Sequence, residues 1–215
     1  MTKPETFRVA VFTGGPAIRP SVRQFLCRLE ADPLIQLVAV FWQTPGTGLV
    51  NIVADAWRRR KVLALPALVS QAAEAIRARL ADSTGNECKQ GLKSCIHPVQ
   101  DVHAPVVLDQ LANLDVDLGL VYGGPILKPS LFQLPRHGTL GIHHGKLPEY
   151  RGKKTLFWAM YHGEEHAGVT IQRINEGLDT GEVVREGLVD VGERRMANVW
   201  QDVEALGYDL YIQAI

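Results

Sequence analysis

The sequence predicts an α/β fold: a single doubly wound domain whose mostly parallel sheet turns antiparallel in its C-terminal portion. Three observations carry this. Residues 7–13 (FRVAVFT) and 35–42 (IQLVAVFW) are continuous apolar runs with β-branched content, the pattern of strands buried on both faces. Between them, Val22, Phe25, Leu26 and Leu29 recur at helical spacing, completing a strand–helix–strand unit. Further on, residues 169–174 (VTIQRI) and 183–191 are strand-like runs joined by the short polar segment NEGLDTGE, which reads as a hairpin-like antiparallel pair.

The remaining elements fit that frame. Gly14, Gly15 and Pro16 make a loop, Ser21 is placed to cap the first helix, and Asp32-Pro33 ends it. The Gly-Gly loop lacks the G-x-G-x-x-G order and the P-loop lysine, so it predicts a tight turn or a backbone anion site helped by Arg19. Residues 50–61 read as a helix with a basic end, 62–68 as a short strand and 71–80 as an alanine-rich helix. Residues 82–98, rich in glycine and lysine, read as a loop. A helix over 106–114 precedes a buried strand at 118–122, ended by Gly123, Gly124 and Pro125; Ile126, Leu127, Leu131 and Phe132 continue at helical spacing. Residues 153–161 form a helix, and Met196, Val199, Trp200, Val203, Leu206, Leu210 and Tyr211 define a terminal amphipathic one.

Composition narrows the function classes. The 215 residues are 46% hydrophobic and 21% charged, with a formal net charge of zero, which gives no electrostatic case for nucleic acid or membrane. No apolar run approaches the ~20 residues of a membrane helix, and the N-terminus lacks a secretory pattern, so a cytoplasmic location is expected. Cys27, Cys88 and Cys95 predict free thiols, with Cys27 in the core; without a CxxC pair, Cys88 and Cys95 near His97 make only a weak case for a metal site.

The stretch that organises the chemistry is 138–152, GTLGIHHGKLPEYRG. It opens as a buried strand and carries His143 at its end, where α/β sheets place ligand-binding groups. Pro148 and Gly152 constrain the exit. A second stretch, 174–181 (INEGLDTG), puts Asp179 on a turn. A histidine and a carboxylate brought together are the minimum for acid–base work. Arg151 suits an anionic ligand because a guanidinium pairs bidentately with carboxylate or phosphate. The string H-G-E-E-H at 162–166 also matches an inverted zinc-peptidase pattern, but Gly163 is placed to end the preceding helix and split the two histidines.

The ordered pieces H-x-x-x-L-P-x-Y-R-G (143–152), G-E-x-x-x-G-V-T (163–170) and L-D-T-G (178–181) resemble the folate-dependent formyltransferase family, over roughly residues 116–184. The resemblance implies a Rossmann-like formyltransferase fold. It also implies 10-formyltetrahydrofolate as co-substrate and a small-molecule primary amine, such as an amino-sugar nucleotide, as acceptor. It makes His143 the acid–base and oxyanion-stabilising group and Asp179 the carboxylate that orients it. It places the folate wall at Tyr122, Gly123, Gly124, Ile126 and Leu127 on one side and Asn175, Gly177 and Leu178 on the other, with His144 and Arg151 toward the acceptor.

One position departs from the family pattern. The family's N-x-H has Gly141 in place of its asparagine. Losing an oxyanion donor costs about 2.7–4 kcal/mol of transition-state stabilisation in a protease case. Three outcomes follow: His144 replaces the donor, a water or another side chain fills the space, or the chain binds folate or nucleotide without catalysing transfer. Hydrolysis of formyltetrahydrofolate, with water in place of the amine, is a further alternative.

Overall fold

The computed structural model describes residues 6–44 and 91–215. Within them β1 (Phe7–Gly14), α1 (Pro20–Ala31), β2 (Ile35–Gln43), α2 (Gly91–Cys95), β3 (Ile96–Val99), α3 (Pro105–Asn113), β4 (Leu118–Val121), α4 (Pro129–Phe132), β5 (Thr139–His143), α5 (Thr155–Tyr161), β6 (His166–Arg173), β7 (Val183–Asp190) and α6 (Met196–Gln213) follow in order. The strands form one sheet in the order β3-β2-β1-β4-β5-β6-β7. Pairings from β3 to β5 are parallel, and β5–β6 and β6–β7 are antiparallel. This is the doubly wound sheet with an antiparallel C-terminal portion that the apolar runs predict. The strand order reverses between β1 and β4, which opens a crevice at their carboxyl ends.

Alternation along the strands sends side chains to two cores. Val9, Val11, Leu118, Leu120, Leu140, Val169 and Ile171 pack with Phe25, Leu26, Tyr208 and Tyr211 of α1 and α6. Ala10, Phe12, Ala39 and Phe41 pack on the opposite face with Val107 and Leu111 of α3 and Leu131 and Phe132 of α4. On β5, therefore, Leu140, Ile142 and the following His144 belong to the first face, and Thr139, Gly141 and His143 to the second.

Several details differ from the sequence expectation. Pro20 occupies the first position of α1 and Arg19 its N-cap, so Ser21 lies inside the first turn and caps nothing. The helix read at 50–61, the strand at 62–68, the helix at 71–80 and the first part of the loop at 82–98 lie outside the described residues. The last part of that loop is α2 and the edge strand β3. Pro98 disguises the strand, yet proline is accepted at a sheet edge, where its missing N–H breaks no ladder. Cys27 is half-buried and disulfide-bonded, which corrects the reading of three free thiols. Among the described residues no helix is long and apolar enough to cross a membrane.

Tyr211 ties α6 to the sheet at the site. Its hydroxyl accepts the Val121 N–H at 3.0 Å and lies 2.9 Å from the carbonyls of Val121 and Leu140, bridging β4 and β5. Removing it leaves a buried N–H unsatisfied. Tyr211→Phe is expected to lower stability by about 1–3 kcal/mol, read as a lower urea midpoint at unchanged slope.

Candidate active site

β5 ends at His143, which is 8% exposed. The chain then leaves the sheet as a strap, residues 144–154, that folds back over the histidine before α5 begins. Gly145 passes so close to the imidazole that an added Cβ would sit 2.8 Å from both His143 Nε2 and the Tyr150 carbonyl oxygen, so only glycine fits. His143 Nε2 lies 2.6 Å from that carbonyl. A carbonyl only accepts, so Nε2 carries the hydrogen and donates it. The other nitrogen, Nδ1, faces Asp179 Oδ1 at 3.4 Å. The two groups that the sequence singles out therefore meet, 36 positions apart in the chain.

Asp179 is fixed from two sides. It sits at φ 51° in the loop between β6 and β7. Its Oδ2 accepts the Gly152 N–H at 2.8 Å, and its Oδ1 accepts from Gln172 Nε2 at 3.2 Å. Gln172, buried on β6, also accepts the Gly181 N–H through Oε1 at 3.1 Å. Asn175 Oδ1 accepts from Gly177 N–H at 3.1 Å and Thr180 Oγ1 at 2.9 Å, so its side-chain oxygen organises the loop rather than facing a ligand. Leu178, beside Asp179, stands 63% exposed.

On the β4 side, Gly123 and Gly124 turn the chain, and the Gly123 carbonyl accepts from Arg19 at 3.2 Å. Ile126 projects, 82% exposed, whereas Leu127 is buried beside the helices of the second face. Tyr122 departs from the expected wall. Its ring is 3% exposed and stacks 5.0 Å from Phe25 in the opposite core, because alternation after Val121 turns it there. Any contact from Tyr122 to a ligand on the His143 side is through its backbone.

His144 likewise points to the other face. Its ring lies 4.9 Å from Trp200 and 6.1 Å from Tyr122, with Nε2 buried and unpartnered among the described residues. Burial, then the neighbouring His143 and Arg19, pushes its pKa down to about 4. It therefore does not stand in for the asparagine of the family pattern. The space beside Gly141 is instead aliphatic: an added Cβ would lie 2.5 Å from Ile174 Cδ1. Arg151 is exposed on the strap.

The zinc-like string is dispersed. Gly163, at φ 76°, follows the end of α5. His162 turns toward the Tyr150 hydroxyl, 3.2 Å away, and His166 lies on β6 beside Asp190 at 3.1 Å. No cluster of metal-ligating side chains exists among the described residues.

Tyr150, Glu164, Thr170 and Gln172 were not singled out from the sequence as site residues. Tyr150 and Glu164 stand inside the quoted motifs, and Gln172 is a polar residue at an inward position of a strand. The role of Tyr150 had no signal, since its backbone carbonyl makes the contact.

Two expectations follow from this geometry. His144 binds its proton more weakly when folded than when unfolded, so its contribution to stability is present above about pH 6.5 and is lost as pH falls toward about 4. His144→Gln is expected to flatten stability measured across that window. Gly141→Ala is expected to destabilise by about 1–3 kcal/mol through overpacking, and Ile174→Val in the same chain to recover part of the loss, both read by chemical denaturation.

Comparisons with known proteins agree with this architecture. The family profile described as Formyl transferase matches residues 38–215. Methionyl-tRNA formyltransferase from Thermodesulfovibrio yellowstonii is 26% identical over 181 residues, covering 82% of this chain and 58% of that protein. The enzyme of the same name from Geobacter metallireducens is 39% identical over 94 residues, covering 43% of this chain and 30% of that protein. The chain thus spans well under two thirds of these curated relatives. Among solved structures, phosphoribosylglycinamide formyltransferase from Brucella melitensis superposes with a TM-score of 0.65 at 19% identity, covering 98% of this chain and 94% of that one. A formyltetrahydrofolate deformylase from Pseudomonas syringae pv. tomato superposes at 0.62 and 14% identity, covering 98% and 60%. At those identities the superpositions establish the fold, and the profile match over most of the sequence establishes kinship: this chain belongs to the formyl transferase family.

Proposed function

We propose that this protein transfers a formyl group from 10-formyltetrahydrofolate to the primary amine of a small molecule. The observation that carries the reading is the convergence of His143 and Asp179, with Nε2 bonded to the Tyr150 carbonyl and Nδ1 turned toward the carboxylate.

Formyl transfer breaks the bond from the folate nitrogen to the formyl carbon and forms one from that carbon to the amine. The amine loses a proton and the folate nitrogen gains one. Because Nε2–H is engaged with the Tyr150 carbonyl, Nδ1 is the nitrogen that takes the proton from the attacking amine. Asp179, 3.4 Å from Nδ1, stabilises the imidazolium that results. The same nitrogen returns the proton to the leaving folate nitrogen, so the histidine ends as it began. The strap helps to keep water from the formyl carbon.

The donor fits the second face of the sheet. Exposed Ile126 and Leu178, on loops flanking the strip that carries Gly141 and His143, offer apolar surface to a pteridine, and Gly123, Gly124 and Gly177 offer backbone. The acceptor must bring its amine to His143 Nδ1 on the same face, so it approaches over the carboxyl ends of β1 and β4, where the exposed Arg19, bonded to the Gly123 carbonyl, supplies a cation. A cation at that edge favours a phosphorylated acceptor, such as an amino-sugar nucleotide. Arg151, exposed at the strap, adds positive charge for the anionic end of either co-substrate.

Ile174 beside Gly141 supports a second reading, a protein that binds folate without transfer, because no side-chain donor reaches the oxyanion from residue 141. Incubation with 10-formyltetrahydrofolate, with and without candidate amino sugars, separates the readings. The transferase reading predicts amine-dependent release of tetrahydrofolate that His143→Ala removes, with a fall of at least about 10²-fold. Release without amine indicates hydrolysis, and binding without release indicates the pocket alone.

A further inference from the structure

We infer that Tyr150 is a positioning residue, latched through its hydroxyl to Glu164 and His162, whose carbonyl holds the His143 imidazole in the tautomer and plane that transfer needs. The inference rests on the proposed acid–base role of His143.

The 2.6 Å contact from His143 Nε2 is made to a backbone oxygen on an otherwise polar strap. A backbone carbonyl orients an imidazole only as well as its own segment is held. The strap is held at four points. Thr170 Oγ1 donates to the Gly145 carbonyl at 2.8 Å, anchoring the near end to β6. Thr155 Oγ1 donates to the His144 carbonyl, anchoring it to α5. The Gly152 N–H donates to Asp179 at 2.8 Å, anchoring the far end. In the middle, the Tyr150 N–H donates to the Lys146 carbonyl at 2.8 Å within the strap, and the Tyr150 side chain ties it outward: its hydroxyl donates to Glu164 Oε1 at 2.8 Å and lies 3.2 Å from His162 Nδ1. A single hydroxyl can donate to the carboxylate and accept from the imidazole N–H, so both contacts are satisfied together. The ring also lies 6.0 Å from that of His162.

The latch is a second link between two sequence motifs already joined by Thr170 and Gly145. The tyrosine of L-P-x-Y-R-G meets the glutamate of G-E-x-x-x-G-V-T. Glu164 follows Gly163, whose positive φ ends α5 and turns the chain toward the strap. Neither side chain reaches His143; the link runs from Glu164 to the Tyr150 hydroxyl, through the residue to its carbonyl, and so to Nε2. Misplacing a reacting group by about 1 Å can cost 10²-fold in rate, which sets the scale of the effect.

The test uses the full chain. Tyr150→Phe keeps the ring and carbonyl and removes only the latch; Glu164→Ala removes its partner; Glu164→Gln keeps an acceptor oxygen. In steady-state formyl transfer, Tyr150→Phe and Glu164→Ala are expected to lower kcat about 10–100-fold with KM within about twofold. Glu164→Gln should stay near wild type, and the double variant should be no worse than the worse single one. The 15N chemical shifts of the His143 ring should report Nε2–H in the wild type and a mixture of tautomers in Tyr150→Phe. Unchanged kcat in both single variants, a rise in KM alone, or a His143 signal indifferent to the latch would overturn the inference. The spectroscopic arm needs no turnover, so it separates failure of the latch from failure of the transferase reading. Should Glu164→Ala not fold, Tyr150→Phe and Glu164→Gln carry the same comparison.

Discussion

His143 has an oxygen facing each of its ring nitrogens, and the arrangement of the described residues around it follows from that. One oxygen is a peptide carbonyl on the strap, the other a carboxylate on the β6–β7 loop. A carbonyl cannot donate, so the hydrogen on Nε2 is settled by backbone geometry, and Nδ1 is left beside a negative charge. This is an asymmetric environment: one nitrogen is tied to the backbone, and the other, beside the carboxylate, is the one proposed to carry the proton. Had both nitrogens faced aliphatic side chains, the histidine would be a packing residue at the end of a strand.

The sheet is what allows so short a set of contacts to form. β5 is the last parallel strand, and β6 returns antiparallel beside it. That reversal brings Thr170 opposite His143 and Gln172 opposite Gly141. The loop after β6 then folds back so that Asp179 meets the Gly152 end of the strap. The strap, the β6 strand and the β6–β7 loop are thus bolted to one another by hydrogen bonds that run through the same few residues. The face of β5 that holds His143 is separated from the face that holds His144 by the sheet itself. Two adjacent histidines consequently have unrelated surroundings: one lies among hydrogen-bond acceptors, the other in an aromatic nest that strips it of solvent.

Much of this was legible in the sequence for identifiable reasons. Continuous apolar runs mark strands buried on both sides, and β1, β2 and β4 follow them closely. The ordered motifs place His143 and Asp179, and a positive-φ glycine after α5 disposes of the zinc-like string. What was not legible depends on contacts that side-chain identity does not encode. The carbonyl that orients His143 belongs to every residue type alike, so the motif that contains Tyr150 does not announce that contact. Tyr122 looks like a pocket residue by position, but strand alternation turns it into the core beside Phe25. The vacancy opposite Gly141 cannot be read from the glycine, because what fills it, Ile174, lies on a different strand's end. Pro98 hid an edge strand because the rule that excludes proline applies to central strands.

The central claim is that His143 and Asp179 flank one cavity that accepts a folate ring. A crystal structure of the protein with an unreactive analogue of 10-formyltetrahydrofolate tests it most directly. The account predicts the pteridine between residues 123–127 and 175–179, with its side chain carrying the formyl-equivalent atom to His143 Nδ1 and the Tyr150 carbonyl still on Nε2. An analogue bound elsewhere, or His143 and Asp179 left packed together with no ligand atom near either, would contradict it.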